Sequence, residues 1–180
     1  MYKLLPGLLL ILLVGCGTQH IQDKNGRWIA VAPGSQVETL RPIRLPLARS
    51  RIFIQRGQVI SLGNLDAYHP SCNFEIRFLG QADTTVQPDI FLIHSVEIGS
   101  ESVVQLGGTD VAALTLQGFH DPGPSIHRFF RFRLVSGEQP DVLSLTCRGA
   151  LNDQWESRLP DLDQIREVLG GIARIELNEE

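Results

Sequence analysis

The sequence lacks an apolar run long enough to cross a membrane as a helix. A spanning helix needs about 20 apolar residues, whereas the most apolar stretch, Leu4 to Gly17, has 14 residues and contains a proline near its start. Lys3 precedes this stretch and is the only charged residue before Asp23. A positive start followed by a short apolar run is typical of a secretory signal peptide. We therefore expect residues 1–15 to be removed during export rather than to span a membrane.

The sequence also lacks an excess of positive charge. Its 16 lysine and arginine residues are outnumbered by 20 acidic residues, which gives a formal net charge of −4. Removing residues 1–15 takes away one lysine and no acid, so 15 bases and 20 acids leave −5. Nucleic-acid-binding domains are usually clearly basic, and we expect no nucleic acid partner. The hydrophobic content of 43% is ordinary for a globular protein, and residues 36–180 suit a single domain.

Motifs of catalysis and metal binding are missing as well. The chain has no Gly-x-Ser-x-Gly, no His-Glu-x-x-His and no phosphate-binding glycine-rich loop. We therefore expect neither an enzyme nor a cofactor, although a catalytic site assembled from distant loops would leave no such pattern. His120, Asp121 and His127 lie around a Pro-Gly-Pro turn and are weak candidates for metal ligands. Because their spacing matches no strong metal signature, we expect no metal.

The most specific motif present is Leu13-Val14-Gly15-Cys16, which resembles the lipobox of bacterial lipoproteins. The resemblance implies cleavage between Gly15 and Cys16, followed by acylation of Cys16 with a diacylglyceryl group and usually a third chain such as palmitate. Gly17 stands where inner-membrane lipoproteins often carry Asp, which implies an outer-membrane anchor facing the periplasm. Two or more acyl chains are enough for stable anchoring. The alternative is an ordinary secretory signal in which Cys16 is incidental.

The rest of the chain divides into a tether and a β-rich domain. Residues 16–35 have a mixed composition with glycine and proline and are predicted to form the lipidated tether, although residues 28–31 could dock on the domain as an early strand. From Gln36 onward, short apolar segments separated by turn residues predict an all-β, mainly antiparallel β-sandwich or barrel-like domain. Residues 99–102 are predicted to be a hairpin connection. Predicted strands lie near 36–40, 43–47, 50–55, 58–62, 72–79, 89–98, 101–106, 111–116, 127–135 and 141–148.

The C-terminal region has a helical pattern instead. Asp161 is followed three residues later by Gln164, which is the arrangement of a capping box. Apolar residues then recur at helical spacing until Gly170, which favours the end of a helix. We predict one short C-terminal helix and a last strand near residues 172–177.

If Cys16 is acylated, Cys72 and Cys147 remain as a pair in an exported protein, where disulfides form and persist. Each of the two lies on the apolar face of an alternating strand segment. We therefore expect both sulfur atoms to point inward, and a Cys72–Cys147 bridge could join two strands across a core. Two buried free thiols are the alternative.

A run of 16 residues contains five arginines and no acid. Such a cluster could bind an anionic partner, for example lipopolysaccharide phosphate or an acidic protein surface, because guanidinium groups pair well with planar anions and phosphate. The alternative is a solvated strand face balanced by the acidic C-terminal third of the chain. The five residues are Arg41, Arg44, Arg49, Arg51 and Arg56.

Two further segments, Phe53-Ile54-Gln55-Arg56-Gly57 and Tyr68-His69-Pro70-Ser71-Cys72, resemble a group of small proteobacterial lipoproteins with Phe-x-Gln-x-Gly and Tyr-x-Pro-x-Cys patterns. This resemblance implies one domain with a disulfide and adds no catalytic residue. The sequence thus favours a non-enzymatic envelope component that binds another protein or supports an envelope assembly. A small-ligand or metal-binding periplasmic module is the second expectation, and an enzyme with a dispersed site is the third.

Overall fold

The computed structural model describes residues 18–45, 47–77, 84–102 and 124–178. The predicted cleavage and acylation site at Gly15 and Cys16 lies outside these ranges, as do His120, Asp121 and the predicted strand at 111–116. In the described part, the strands are β1 (His20–Gln22), β2 (Trp28–Ala30), β3 (Gln36–Thr39), β4 (Ile43–Leu45), β5 (Arg51–Gln55), β6 (Gln58–Ile60), β7 (Ser71–Ile76), β8 (Thr84–Val86), β9 (Asp89–Ser102), β10 (Ile126–Val135), β11 (Val142–Arg148) and β12 (Ala173–Glu176), with helix α1 (Leu162–Leu169) between β11 and β12.

Eight of these strands form one curled antiparallel sheet in the order β12-β3-β9-β10-β11-β7-β5-β6. Strands β1 and β2 pair separately, and so do β4 and β8. Helix α1 contacts β5 and β7 toward one end of the sheet and β12 at the other. The sheet therefore curls around α1 as a half-barrel, and the predicted all-β class with one short C-terminal helix is confirmed.

The inner face of the half-barrel is apolar because its strands alternate. On β10, Phe130, Phe132 and Leu134 are buried in the core, while Arg131 and Arg133 lie on the outer face and bind Glu97 of β9. This is the period-two pattern of a sheet with one face turned to the core.

The hairpin of β1 and β2 adds Ile21 and Ile29 to the same core. Its turn is fixed locally, because the Asp23 carboxylate accepts hydrogen bonds from the backbone N–H groups of Asn25 and Arg27, each at 2.9 Å. Residues 20–30, which the sequence places in the tether, are thus part of the folded domain. The expected docking of residues 28–31 as an early strand agrees with β2.

Helix α1 begins with the predicted capping box. The side chain of Asp161 accepts from the backbone N–H of Gln164 at 2.7 Å, and the Gln164 side chain accepts from the Asp161 N–H at 3.0 Å. The helix ends at Gly170, whose φ of +51° favours glycine. No helix in the described ranges is long and apolar enough to span a bilayer.

Strand β9 corrects one prediction. Residues 99–102 continue the strand instead of forming a hairpin connection, and β9 runs without a break from Asp89 to Ser102. Gly99 is opposite Phe129 of β10 in the strand register. A Cβ atom at residue 99 would lie only 2.5 Å from Cζ of the Phe129 ring, so the ring fills that space. The glycine therefore makes room for an aromatic ring and does not mark a turn.

Candidate functional site

Cys72 and Cys147 face each other directly in the register of β7 and β11. Their Sγ atoms are 2.12 Å apart, and both side chains are buried in the core, as the strand pattern predicted. The pair does not join strands across a core, however. It links neighbouring strands of the same sheet, because the register brings the two inward-facing cysteines together. This position supports a structural role and offers no accessible thiol.

A buried cation lies on the outer face of the same strands. The Arg148 side chain is only 7% exposed, and its guanidinium donates to the carboxylate of Glu101 and to Oδ1 of Asn73. Burial alone would raise the pKa of Glu101, but the hydrogen bond and charge of Arg148 outweigh it, so the pKa is held below its ordinary value. Because Arg148 bonds to both Glu101 and Asn73, we interpret the group as a structural part of the sheet and not as a reactive centre.

His127 is buried beside this group and opposite Glu101 in the β9–β10 register. Its Nδ1 lies 2.8 Å from the carbonyl oxygen of Gly149. Since a carbonyl can only accept, Nδ1 carries the proton in this contact. His127 is therefore held by the backbone. Among the described residues, no three potential ligands lie close enough to hold a metal ion, and the proposed partners His120 and Asp121 lie outside those residues.

The five clustered arginines do not share one environment. Arg51 lies on β5 and forms an ion pair with Glu75 of β7 at 3.6 Å. Arg56 lies in the β5–β6 turn and approaches Asp66 at 3.6 Å. By contrast, Arg41, Arg44 and Arg49 form no ion pair with any residue that the structure describes.

Three of these arginines line a groove with a volume of about 810 Å³. Arg44 and Arg49 enter it from β4 and the segment before β5, and Arg51 enters it from β5. No acidic residue is among the described residues that line it. The groove is therefore positively charged, and Arg44 and Arg49 are not neutralised by described residues.

The groove also has an apolar wall, formed by residues of the β5–β6 hairpin and of the short turn after it. Val59 is 45% exposed and Leu62 is 58% exposed, and Phe53 and Ile60 lie beside them. Guanidinium groups next to an accessible apolar wall can bind an anion that also carries apolar groups. Sequence reasoning identified the arginines but missed this wall, which exists only because the hairpin packs beside β4 and the loop after it.

One backbone edge is also accessible at the groove. Arg56 and Gly57 both have positive φ, +52° and +70°, as in a two-residue type I′ hairpin turn. In such a hairpin the flanking residues Gln55 and Gln58 exchange backbone hydrogen bonds, so the N–H and C=O of Val59 point away from β5. Strand β6 is the last strand of the sheet, and no described strand pairs with that side.

In comparisons with known proteins, no protein-family model, no curated protein and no solved structure matches the chain.

Proposed function

We propose that this chain is an outer-membrane-anchored periplasmic lipoprotein whose β domain binds an acidic segment of another envelope protein. The anchor rests on the lipobox-like residues around Cys16. The observation that carries the binding proposal is the groove between β4 and the β5–β6 hairpin. Arg44 and Arg49 form no ion pair with described residues, and none of the described residues that line the groove is acidic. The proposed role is non-enzymatic.

An extended acidic chain fits the groove in three ways. Its carboxylates would pair with Arg44 and Arg49, its apolar side chains would cover Val59 and Leu62, and its backbone would bond to the outward N–H and C=O of Val59. Strand addition at a sheet edge combines these backbone and side-chain contacts. A single short edge gives modest affinity, and tethering to the same membrane compensates by raising the local concentration of the partner.

The test is site-specific photo-crosslinking in intact envelopes. A photoreactive residue at Ile60 places the probe in the groove wall. We expect it to capture one dominant envelope protein, and Arg44→Glu/Arg49→Glu should reduce the captured product at least about tenfold, because two charge-assisted contacts become repulsive.

The matched control is Arg128→Glu/Arg166→Glu, which makes the same change of charge at two exposed arginines without ion pairs among the described residues. We expect this control to capture the partner normally. Equal loss in both double variants would show a net-charge effect, and capture of lipid instead of protein would assign the groove to an anionic headgroup. Either result contradicts the proposal.

A further inference from the structure

Half of strand β9 is paired with a described strand on one side only. Strand β3 pairs with β9 from Asp89 to Leu92, whereas β10 pairs with it as far as Ser102. Residues 95–102 therefore have no strand on the side away from β10 within the described part of the chain. At about 3.4 Å per residue this open edge is about 27 Å long, which is long for an edge strand that natural proteins leave uncovered.

Backbone N–H and C=O groups point to alternate sides along a strand, and one hydrogen bond of β10 shows which residues of β9 point to this edge. The N–H of Gly149 donates to the carbonyl of Arg128 at 2.9 Å, so Arg128 and every second residue of β10 face β11. The alternate residues of β10 face β9, where their register partners are Ser95, Glu97, Gly99 and Glu101. It follows that the free backbone groups of the edge belong to Val96, Ile98, Ser100 and Ser102.

The acidic side chains of this edge carry no unpaired charge that would repel another strand. Glu97 is paired with Arg131 and Arg133, at 3.3 and 2.8 Å, and Glu101 is paired with Arg148. On the other face of the strand, Ile98 is 50% exposed although it belongs to the inward-facing series of β9. A partner strand that covers this edge thus needs an apolar residue opposite Ile98 and a small residue opposite Glu97.

We propose that a second copy of this chain pairs antiparallel along the open edge of β9, with the two-fold axis at Ile98. This register places Ile98 opposite Ile98 of the second copy and Val96 opposite Ser100 of the second copy. It also places Glu97 opposite Gly99 of the second copy, so no two acids oppose each other. The strand β9 itself therefore meets both requirements of the edge.

This register forms a closed pair. The backbone groups of Val96, Ile98 and Ser100 exchange six hydrogen bonds with the second copy, and the same patch is used on both chains, as in a two-fold dimer. Shifting the axis to Gly99 would bring Glu97 opposite Glu101 of the second copy, and like charges directly opposite are unfavourable. The arrangement uses no groove residue and is independent of the proposed function.

The register is tested by cysteine crosslinking of the purified full-length chain. In a hydrogen-bonded antiparallel pair the two Cα atoms at Ile98 would be about 5.5 Å apart, within the range of a disulfide. Ile98→Cys should therefore give a covalent dimer under mild oxidation. Ser100→Cys is the matched control, because its two copies would lie about 14 Å apart and should not crosslink. Equal crosslinking of both variants, or none of either, would overturn the proposal.

A second measurement tests the edge without cysteine. Ser100→Pro removes an N–H that faces only outward, and proline is tolerated at such edge positions. Sedimentation of the full-length chain over a range of concentrations should show a dissociation constant at least about tenfold weaker than that of Ser100→Ala, which keeps the N–H. Thermal unfolding checks that both variants fold. A monomeric starting chain, or a dimer that Ser100→Pro leaves unchanged, contradicts the inference.

Discussion

At the scale of single residues, Arg148 is the side chain that the sequence explains least. It follows Cys147 on a strand and would be expected in solvent, yet it is the one buried arginine of the described chain. Its place in the sheet accounts for this burial: Arg148 lies opposite Phe129 of β10 in the strand register, and its guanidinium donates to Glu101 and Asn73. A buried cation in such surroundings depends on its acidic partner.

We therefore expect Glu101→Gln to lower the free energy of unfolding by about 2 kcal/mol, below the usual cost of breaking a fully buried pair because Glu101 is partly exposed. Since the pKa of Glu101 is lowered in the folded state, its contribution is complete above the unfolded value of about 4.5 and is lost as the pH falls through the folded value. Urea unfolding of the parent chain and of Glu101→Gln measures this contribution. The difference between their free energies of unfolding should become smaller as the pH falls below the unfolded value.

Glu138→Gln is the control for this experiment, because Glu138 is exposed and its side chain has no ion pair among the described residues. We expect it to change the free energy of unfolding by less than about 0.5 kcal/mol at every pH. A Glu101→Gln variant as stable as this control would mean that Arg148 does not need its carboxylate partner.

At the scale of elements, the C-terminus of α1 holds the hairpin that forms the groove wall. The N–H of Gly57, in the β5–β6 turn, donates to the carbonyl of Val168 at 2.9 Å. A Cβ at Gly170 would lie 2.7 Å from the Cα of Gly57. The two glycines thus allow the helix end and the turn to approach each other closely.

Gly170→Ala should therefore lower the free energy of unfolding by about 2 kcal/mol, because it adds a backbone clash to a positive φ. Gly171→Ala is the matched control: its Cβ would meet no atom within 4 Å, and we expect a change below about 0.5 kcal/mol. Thermal or denaturant unfolding of the two variants measures the difference. Similar stability of both would show that the hairpin and the helix end can separate freely.

The same elements show how far the sequence predicts the fold. The capping box of α1, the alternating strand β10 and the inward cysteines follow from local patterns, and the structure agrees with each. Strands β1 and β8 were missed because three residues are too few to show a period. Residues 99–102 were misassigned because glycine is both a turn residue and a residue that accommodates a neighbouring ring.

The candidate site divides in the same way. The cluster of arginines is visible in the sequence because its members are close along the chain and lack acids. The apolar wall at Val59 and Leu62 is not, because the turn at Arg56 and Gly57 and the packing of α1 are needed to bring it into the same groove as Arg44. The same holds for the open edge of β9, which depends on where β3 stops pairing.

At the scale of the whole molecule, the described part of the half-barrel presents two surfaces that we propose as binding sites for another chain: the groove beside β6 and the edge of β9. The β1–β2 hairpin packs Ile21, which follows Cys16 by five residues in the sequence, into the core. An acyl anchor at Cys16 would therefore hold the domain close to the membrane surface, with little free tether between them.

This arrangement makes Cys16 the residue on which the proposed location depends. Cys16→Ser removes the acyl acceptor, so the variant should lose all metabolic acyl labelling and accumulate uncleaved, while its folded domain keeps its thermal unfolding transition. Cys72→Ser is the control. It removes the link between Cys72 and Cys147 and is expected to lower the free energy of unfolding by about 2–5 kcal/mol. It leaves the lipobox-like sequence intact, so its acyl labelling should be normal. Acyl labelling of Cys16→Ser at the parent level would show that the chain is not anchored through this cysteine. Loss of labelling in both variants would show that the labelling depends on folding and does not report on the anchor.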